Sequence, residues 1–392
     1  MSAFAQFAAV TGMNLKCVRE RPGSSVVIVI GVMGVVVVLI SILTLGASLA
    51  DSVRSNGRAD RAIVLRAGAD SESGSSLFGD EVQTILGAPG IARSAEGEPL
   101  ATADIVDAVR LVRARDDSRA GVRVRGMSAF GPAVRAEIQI VEGRWFQPGL
   151  NELVVGRSAQ QEFSGLQLGD KVRLRGGLWT VVGIFATGNA LEGALLADAT
   201  TLMSAYRRAL VSSVTVRLSS VEAFDEFKNA LTRDPRLSVD VIREDEYFQR
   251  LSRDVSTPLY VVSFVIGAVM AIGAIFGALN TMYTSVSNRR VEIATLRALG
   301  FRGGMVVASV LAEAMILAAV GAIVGAALAW IFLSGSTFSL GATEGSIVTQ
   351  LKVTVPLVAL GLGWACLIGL LGGVFPAVRA ATSPIASELK EQ

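Results

Sequence analysis

The sequence predicts an integral membrane protein: four transmembrane α-helices, an interfacial N-terminal helix, and a large α+β extracytoplasmic domain between helices 1 and 2. Of its 392 residues, 51% are hydrophobic and only 18% are charged, whereas soluble globular domains carry about 25% charged residues. The charges are concentrated, because 26 of the 36 Lys and Arg residues and 28 of the 34 Asp and Glu residues lie between positions 51 and 257. A charged block between apolar flanks indicates membrane spans on either side of one aqueous domain.

Four stretches are long and apolar enough to span a bilayer, which takes about 20 mostly apolar residues. We expect transmembrane helices at 22–50, 258–285, 303–333 and 353–378. The first stretch is longer than the apolar part of a signal peptide, so it is interpreted as a retained span. The remaining segments are a cytoplasmic interfacial helix at 1–21, the extracytoplasmic domain at 51–257, a cytoplasmic coupling helix at 286–302, a short external loop at 334–352 and a cytoplasmic tail at 379–392.

Basic residues predict the orientation. They precede the first span, occupy the loop between spans two and three, and follow the last span, whereas the loop between spans three and four has only Lys352. The positive-inside rule therefore places both termini in the cytoplasm and the charged block outside, for a multi-pass protein of the cell inner membrane. Apolar residues at helical spacing in 1–21 favour a helix in the membrane interface, with a frayed cytosolic tail as the alternative.

The charged block is typical of a mixed α/β domain. Alternating strands and short helices follow one another from Glu137 onward, and two further strands flank a polar turn at Asp116-Asp117. A strand–helix–strand pattern ends the block, and one face of its helix is apolar: Val221, Phe224, Phe227 and Leu231. We expect two subdomains, one built from the middle of the block and one from its two ends.

Several classes of function are excluded. The chain has no histidine, and its two cysteines, Cys17 and Cys366, lie in or beside the apolar flanks. Catalysis by Ser-His-Asp or Cys-His groups and His-ligated metal sites are therefore excluded. No P-loop and no nucleophile elbow occur, and a net charge of +2 does not indicate nucleic-acid binding. We expect no catalytic residue, no metal and no bound cofactor in this chain.

The segment NTMYTSVSNRRVEIATLRALGFRGG, residues 280–304, resembles the cytoplasmic loop of MacB/FtsX-type ABC transporter permeases. The residues that match the family pattern are Arg289 or Arg290, Glu292, Ile293, Leu296, Arg297, Ala298 and Gly300. Three further segments are similar to the family: NLKCVRERPGSSVVIVIGV before the first span, the stretch from GRWFQPGLNELVVG to LWTVVGIF in the charged block, and PAVRAATSPIASELK after the last span.

The resemblance implies the membrane subunit of an ABC transporter of the mechanotransmission kind. Two such chains, identical or paralogous, would pair with two copies of a separate ATPase subunit, which would bind ATP and Mg²⁺. ATP hydrolysis would drive a conformational change of the periplasmic domain, for export or extraction of a lipoprotein, lipid, peptide or drug. A periplasmic adaptor or substrate protein and membrane lipid are further implied partners.

The 286–302 segment has features that support docking independently of the resemblance. Ile293, Leu296 and Gly300 fall on one helical face, and such apolar residues suit a groove on a cytoplasmic partner. The segment's candidate ATPase-coupling residues are Arg289, Arg290, Glu292, Ile293, Leu296, Arg297 and Gly300. The alternative is that Arg289, Arg290 and Arg302 only anchor the loop to anionic lipid.

Polar and small residues inside the spans have two interpretations each. Glu313 is either a polar contact that senses bundle closure or a structural side chain satisfied by a neighbour. Glycine pairs spaced by four residues are consistent with a dimer seam: Gly273/Gly277, Gly321/Gly325 and Gly369/Gly373. Pro258 and Pro356 are expected at helix starts.

Two other functions remain open at this level. One is an FtsX-like regulator that transmits ATPase motion to a cell-wall hydrolase, which a neighbouring hydrolase gene would favour. The other is a membrane-anchored receptor without an ATPase, which would purify alone.

Overall fold

The computed structural model describes residues 22–175, 177–298, 303–342 and 345–382. The chain divides into two compact units. We call residues 1–46, 257–336 and 351–392 the helical unit, and residues 47–256 with 337–350 the sheet unit. The expected interfacial helix at 1–21 and most of the tail lie outside the described residues.

The elements, in chain order, are as follows. The helices of the described residues are α1 Pro22–Arg54, α2 Gly79–Leu86, α3 Gly131–Val134, α4 Arg157–Glu162, α5 Ala199–Tyr206, α6 Ala223–Thr232, α7 Glu244–Ser287, α8 Arg290–Ala298, α9 Gly303–Leu333 and α10 Val355–Thr382, with a 3₁₀ turn at Ala190–Gly193. The strands are β1 Arg61–Arg66, β2 Ala101–Val112, β3 Arg119–Met127, β4 Gln139–Gly143, β5 Glu152–Gly156, β6 Lys171–Leu174, β7 Gly177–Ala186, β8 Leu195–Asp198, β9 Ser213–Arg217, β10 Val239–Arg243, β11 Thr337–Ala342 and β12 Gly345–Gln350.

Four helices are long and apolar enough to cross a membrane: α1, α7, α9 and α10. Three of them extend beyond the predicted spans, and α10 ends at Thr382 rather than at 378. Helix α1 continues to Arg54, and α7 begins at Glu244 rather than at 258. The expectation that Pro258 starts a helix is therefore wrong, since it lies inside α7. Acidic residues in the first turn of α7 favour this earlier start, because negative charge stabilises a helix N-terminus.

Glycines set the spacing of the helical unit. A Cβ at Gly321 would lie 2.8 Å from the Val29 carbonyl oxygen of α1, and one at Gly373 would lie 2.7 Å from the Ala314 Cβ. Gly325 and Gly369 are equally close to neighbouring helices of the same chain. These two pairs therefore allow close packing within one chain and do not form a dimer seam. Around Gly273 and Gly277 of α7, by contrast, a Cβ would meet nothing within 4 Å.

The sheet unit is built on one ten-stranded sheet of order β10-β1-β9-β2-β3-β8-β5-β7-β4, with β6 paired to β7. Most pairs are antiparallel; β3 with β8 and β5 with β7 are parallel. The two largest hydrophobic cores of the described sheet unit lie along this sheet. One contains Trp179 and Phe163 from the middle of the block, and the other contains Phe224 and Phe227 near its end. The first core is drawn from the middle of the block and the second from its two ends, which is the division predicted for the two subdomains, and both cores lie along one continuous sheet. The division into two subdomains stays a prediction.

The local predictions for this unit hold with one exception. The β2–β3 hairpin turns at Asp117, whose φ is +54°, and β9, α6 and β10 form the expected strand–helix–strand. Phe224, Phe227 and Leu231 are buried, as predicted. Val221 is not, because it precedes α6 and is 42% exposed.

The segment between α9 and α10 is a β-hairpin and not the predicted loop. Strands β11 and β12 pair antiparallel, with Thr337 opposite Gln350. The hairpin belongs to the sheet unit, where the Thr349 hydroxyl donates a hydrogen bond of 3.2 Å to the Ser48 carbonyl oxygen. The sheet unit is therefore built from both segments that are predicted to connect spans on the external side, the one between α1 and α7 and the one between α9 and α10.

Candidate functional site

Helix α8 is the described part of the predicted coupling segment, and it has two faces. Val291, Glu292 and Thr295 are exposed, whereas Ala294 is buried and Ile293 is half-buried. The Leu296 side chain and Gly300 lie outside the described residues. The surface that α8 offers to another molecule is therefore the face of Val291 and Glu292.

Ile293 packs within its own chain. It contacts a cluster formed by the ends of α9 and α10, which contains Val306, Val310, Ala377 and Ala380. An isoleucine held in this way orients α8 against the spans. Sequence periodicity places Ile293 on an apolar face of α8 but does not show what that face contacts.

Arg289 and Glu313 form an ion pair inside the helical unit. The Arg289 Nη1 and Glu313 Oε2 atoms are 3.3 Å apart, and both side chains are buried. Of the two interpretations of Glu313, the structure supports the side chain satisfied by a neighbour. Arg289 is correspondingly directed to this carboxylate and not to lipid. The pair ties the segment before α8 to the third span.

We expect Glu313→Ala to destabilise the protein in detergent by about 1–3 kcal/mol, because it leaves the buried Arg289 guanidinium without its carboxylate. The double variant Arg289→Ala/Glu313→Ala is expected to lose less stability than the two single variants lose together, since neither charge is then left without its partner. Thermal unfolding of the four proteins measures this coupling. Strict additivity would show that the pair contributes nothing.

A cavity of about 320 Å³ lies among the ends of α7, α8 and α10. Its lining residues are Tyr283, Thr284, Val286, Ser287, Asn288, Arg290, Ile293, Arg379 and Ala380. The Arg379 guanidinium carbon lies 5.7 Å from the centre of the Tyr283 ring. Arg290, a predicted coupling residue, is thus part of a basic cavity, and Arg297 is a half-buried residue of the same helix.

The sheet unit contains a buried ionic cluster that sequence reasoning missed. Its members come from separate elements: Arg61, Arg125, Arg135, Glu72, Asp104, Glu137 and Glu244. Each carboxylate in the cluster is engaged by an arginine. Among the residues that the structure describes, no group of three His, Cys, Asp or Glu side chains is placed to hold a metal ion. The sequence signal for this cluster was weak: VRVRGM and ATADIV place charged residues between apolar strand residues, and such a charged residue can face inward.

Glu244, the first residue of α7, is fully buried at the centre of this cluster. Its Oε1 accepts a hydrogen bond of 2.8 Å from Arg135 Nη1. Its Oε2 accepts from Arg61 Nε and from the Arg58 backbone N–H. Arg61 also donates to the Asn56 carbonyl oxygen, just beyond the end of α1. The cluster therefore joins the start of α7 to the segment that follows α1.

Arg125 on β3 connects the other members. It donates to Asp104 on β2 and to Glu72, and the Ser213 hydroxyl on β9 donates to Glu72 at 2.7 Å. Burial alone would raise the pKa of the Glu72 carboxyl, but the positive charge of Arg125 and these hydrogen bonds lower it to about 2. Glu72 is therefore ionised throughout the physiological range.

This lowered pKa predicts acid sensitivity. A carboxyl whose folded-state pKa lies below its ordinary value of 4.5 stabilises the fold above that pH, and the contribution is lost as the pH falls towards 2. We expect the difference in stability between the wild type and Glu72→Gln to be full at pH 7 and to shrink below pH 4.5. Thermal unfolding of both proteins at pH 7 and below pH 4.5 measures this difference in stability. A difference that does not depend on pH would contradict the prediction.

Family models match both parts of the chain. Residues 25–234 match the MacB-like periplasmic core domain, which is more than half of the chain, and residues 264–385 match the FtsX-like permease C-terminal domain. The chain belongs to the MacB/FtsX family of ABC transporter permeases. The resemblance seen in the sequence is thereby confirmed, as is the architecture of four apolar helices with a mixed-sheet domain.

Curated relatives share part of the chain. The macrolide export ATP-binding/permease protein MacB of Chromobacterium violaceum is 34% identical over 132 residues, which are 33% of this chain and 18% of that protein. MacB of Bdellovibrio bacteriovorus is 23% identical over 282 residues, 66% of this chain and 42% of that protein. The chain thus spans less than half the length of these relatives.

A solved structure is similar to about half of the chain. The periplasmic region of MacB from Actinobacillus actinomycetemcomitans is 14% identical, with a TM-score of 0.37, and the match covers 49% of this chain and 92% of that one.

Proposed function

We propose that this chain is the permease subunit of an ABC transporter whose ATPase is a separate subunit. ATP hydrolysis there, with Mg²⁺, would change the conformation of the sheet unit on the periplasmic side. Family membership supports the permease role, and the 392 residues contain no P-loop of their own. The cargo class is a lipoprotein, lipid, peptide or drug, exported or extracted from the membrane.

The observation that carries the proposal is the continuity of α7. This helix runs for 44 residues, from Glu244 in the buried ionic cluster to Ser287, with Pro258 inside it, and two residues separate it from α8. At 1.5 Å per residue it is about 66 Å long. We propose that a push on α8 is carried along α7 to the sheet unit, which holds the other end through Glu244.

The ATPase would dock on the exposed face of α8. Val291 offers an apolar contact and Glu292 a charge, whereas Ile293 is occupied by the protein's own helices. Apolar residues on a short surface helix suit a groove on a partner. Arg289 would then act indirectly, by fixing the start of α8 to Glu313.

A second permease chain, identical or paralogous, would pack along α7. Val269, Ile272 and Phe276 on this helix are each more than half exposed. Gly273 and Gly277 have open space around them, so another helix can approach closely there.

The proposed orientation places both termini in the cytoplasm. We expect Ser118→Cys, in a Cys17→Ser/Cys366→Ser background, to react with an impermeant maleimide added to spheroplasts. Ser287→Cys is expected to react only after the membrane is opened. Both serines are exposed, so access to them is not limited by the fold. The reverse pattern would overturn the orientation.

Purification of the tagged chain from its native membrane in mild detergent tests the proposal. We expect an ABC ATPase at one copy per permease chain, together with a periplasmic adaptor or substrate protein. A cell-wall hydrolase in place of the adaptor would instead support an FtsX-like regulator. A chain that purifies without any ATPase would contradict the transporter and favour a receptor.

A further inference from the structure

The cavity among α7, α8 and α10 is lined by positive charge. Among the described residues that line it, the charged groups are the Arg290 and Arg379 guanidiniums, which come from helices far apart in sequence, and none is acidic. The nearest carboxylates along α8 and α9 face elsewhere: Glu292 is on the exposed face of α8, and Glu313 is paired with Arg289.

The other lining groups suit an anion that carries oxygen atoms. Ser287 and Asn288 add a hydroxyl and an amide beside Arg290, and Tyr283 lies against Arg379. The Thr284 hydroxyl is already used, since it donates to the Asn280 carbonyl oxygen at 3.0 Å. Two guanidiniums with neighbouring neutral donors are the groups that bind a phosphate by charge-assisted hydrogen bonds.

The position of the cavity distinguishes it from the ATPase docking face. At 100° per residue, Arg290 and Ile293 lie on the opposite side of α8 from Val291 and Thr295. The cavity is therefore behind α8, near the ends of α7 and α10, two of the helices that are long and apolar enough to cross a membrane. Tyrosine and arginine at span ends are typical of the level of lipid headgroups.

We propose that this cavity binds the phosphate of an anionic phospholipid headgroup from the cytoplasmic leaflet. Arg290 and Arg379 contact the phosphate oxygens, and Ser287 and Asn288 complete the site. The bound lipid holds the start of α8 to the end of α10. The choice of leaflet rests on the proposed orientation of the transporter.

Native mass spectrometry of the delipidated full-length chain, titrated with phosphatidylglycerol, tests this assignment. Each cation near an anionic headgroup contributes about a factor of five in affinity, so Arg290→Gln/Arg379→Gln should bind roughly thirtyfold more weakly. The single variants should each lose about fivefold, which keeps the test valid if the double variant is unstable. The control Arg115→Gln/Arg233→Gln removes two exposed charges from the sheet unit and should bind normally.

Three results would overturn the proposal. One is equal affinity of the double variant and the control. Another is equal binding of phosphatidylcholine, or displacement of the lipid by micromolar inorganic phosphate, which would assign the site to a neutral lipid or a free anion. The third is loss of the co-purified ATPase with unchanged lipid binding, which would assign the cavity to the protein partner. A double variant that retains the ATPase but loses the lipid supports the site, and absence of an ATPase from the wild type contradicts only the proposed function.

Discussion

Replacing Glu244 with glutamine is expected to lower the free energy of unfolding of the sheet unit by about 3–5 kcal/mol, because removing one partner of a buried ion pair leaves the others uncompensated. Glu244 is fully buried and accepts hydrogen bonds from Arg61, Arg135 and the Arg58 backbone. Thermal unfolding of the full-length chain in detergent measures the loss, with Trp145 and Trp179 as fluorescent reporters in this unit.

Glu246→Gln is the matched control. Glu246 lies in the same first turn of α7, and its salt bridge to Arg250 is half exposed. Exposed i,i+4 pairs contribute only about 0.3–0.5 kcal/mol, so this variant should unfold close to the wild type. Equal stability of Glu244→Gln and Glu246→Gln would show that the buried cluster does not hold α7.

Val291→Asp is expected to remove the ATPase from the purified complex while leaving the permease folded. An apolar residue at the centre of a docked helix typically contributes about 2 kcal/mol or more to binding, roughly thirtyfold in affinity. Glu292→Arg should have a similar effect, because it reverses the charge that faces the partner. ATPase recovered per permease chain is the measurement.

Val221→Asp provides the control, since Val221 and Val291 are 42% and 43% exposed. It should retain the ATPase. Ile293→Asp separates docking from packing: we expect it to lower the thermal stability of the permease itself, because Ile293 contacts the cluster of Val306 and Ala377. A Val291→Asp complex that keeps a full complement of ATPase would contradict docking on this face.

The membrane architecture was predictable from the sequence because the bilayer imposes a length and an apolar composition on each span. The parts of those helices that lie outside the bilayer were not predictable in this way. Helix α7 begins with an amphipathic segment, EDEYFQRLSRDVST, whose many charged residues make it resemble a polar loop in the sequence. Its Tyr247 and Phe248 are buried in the sheet unit. Strands β11 and β12 were missed for a similar reason, since a short polar connection between spans resembles a loop.

The sequence motif identifies the candidate site, but it does not show which face of α8 is exposed. Periodicity assigns Ile293 and Leu296 to one apolar face of α8, and an apolar face is equally suited to a partner, to lipid or to the protein's own helices. Only the tertiary structure shows Ile293 against α9 and α10 and Val291 exposed. The roles of the seven predicted coupling residues therefore remain predictions, with Glu292 on the exposed face of α8 and Ile293 on the packed one.

The ionic cluster depends on long-range contacts that no local pattern encodes. Arg61 and Glu244 are separated by 183 positions, yet β1 pairs with β10, which ends immediately before α7. Charged residues in exposed strands are common, so the sequence favours solvent exposure for Arg61 and Arg125. Burial of both follows only from the order of the strands.

If ATP hydrolysis on a partner moves the sheet unit, the distance between the sheet units of two permease chains depends on the nucleotide state of the ATPase. Spin labels on Ser118→Cys, at the tip of the β2–β3 hairpin of each of two permease chains, report the separation of the two sheet units in the purified complex. We expect this distance to change when ATP and vanadate trap the ATPase, to return when the nucleotide is removed, and to stay constant in the Val291→Asp protein. An unchanged distance in a complex that hydrolyses ATP would contradict this expectation.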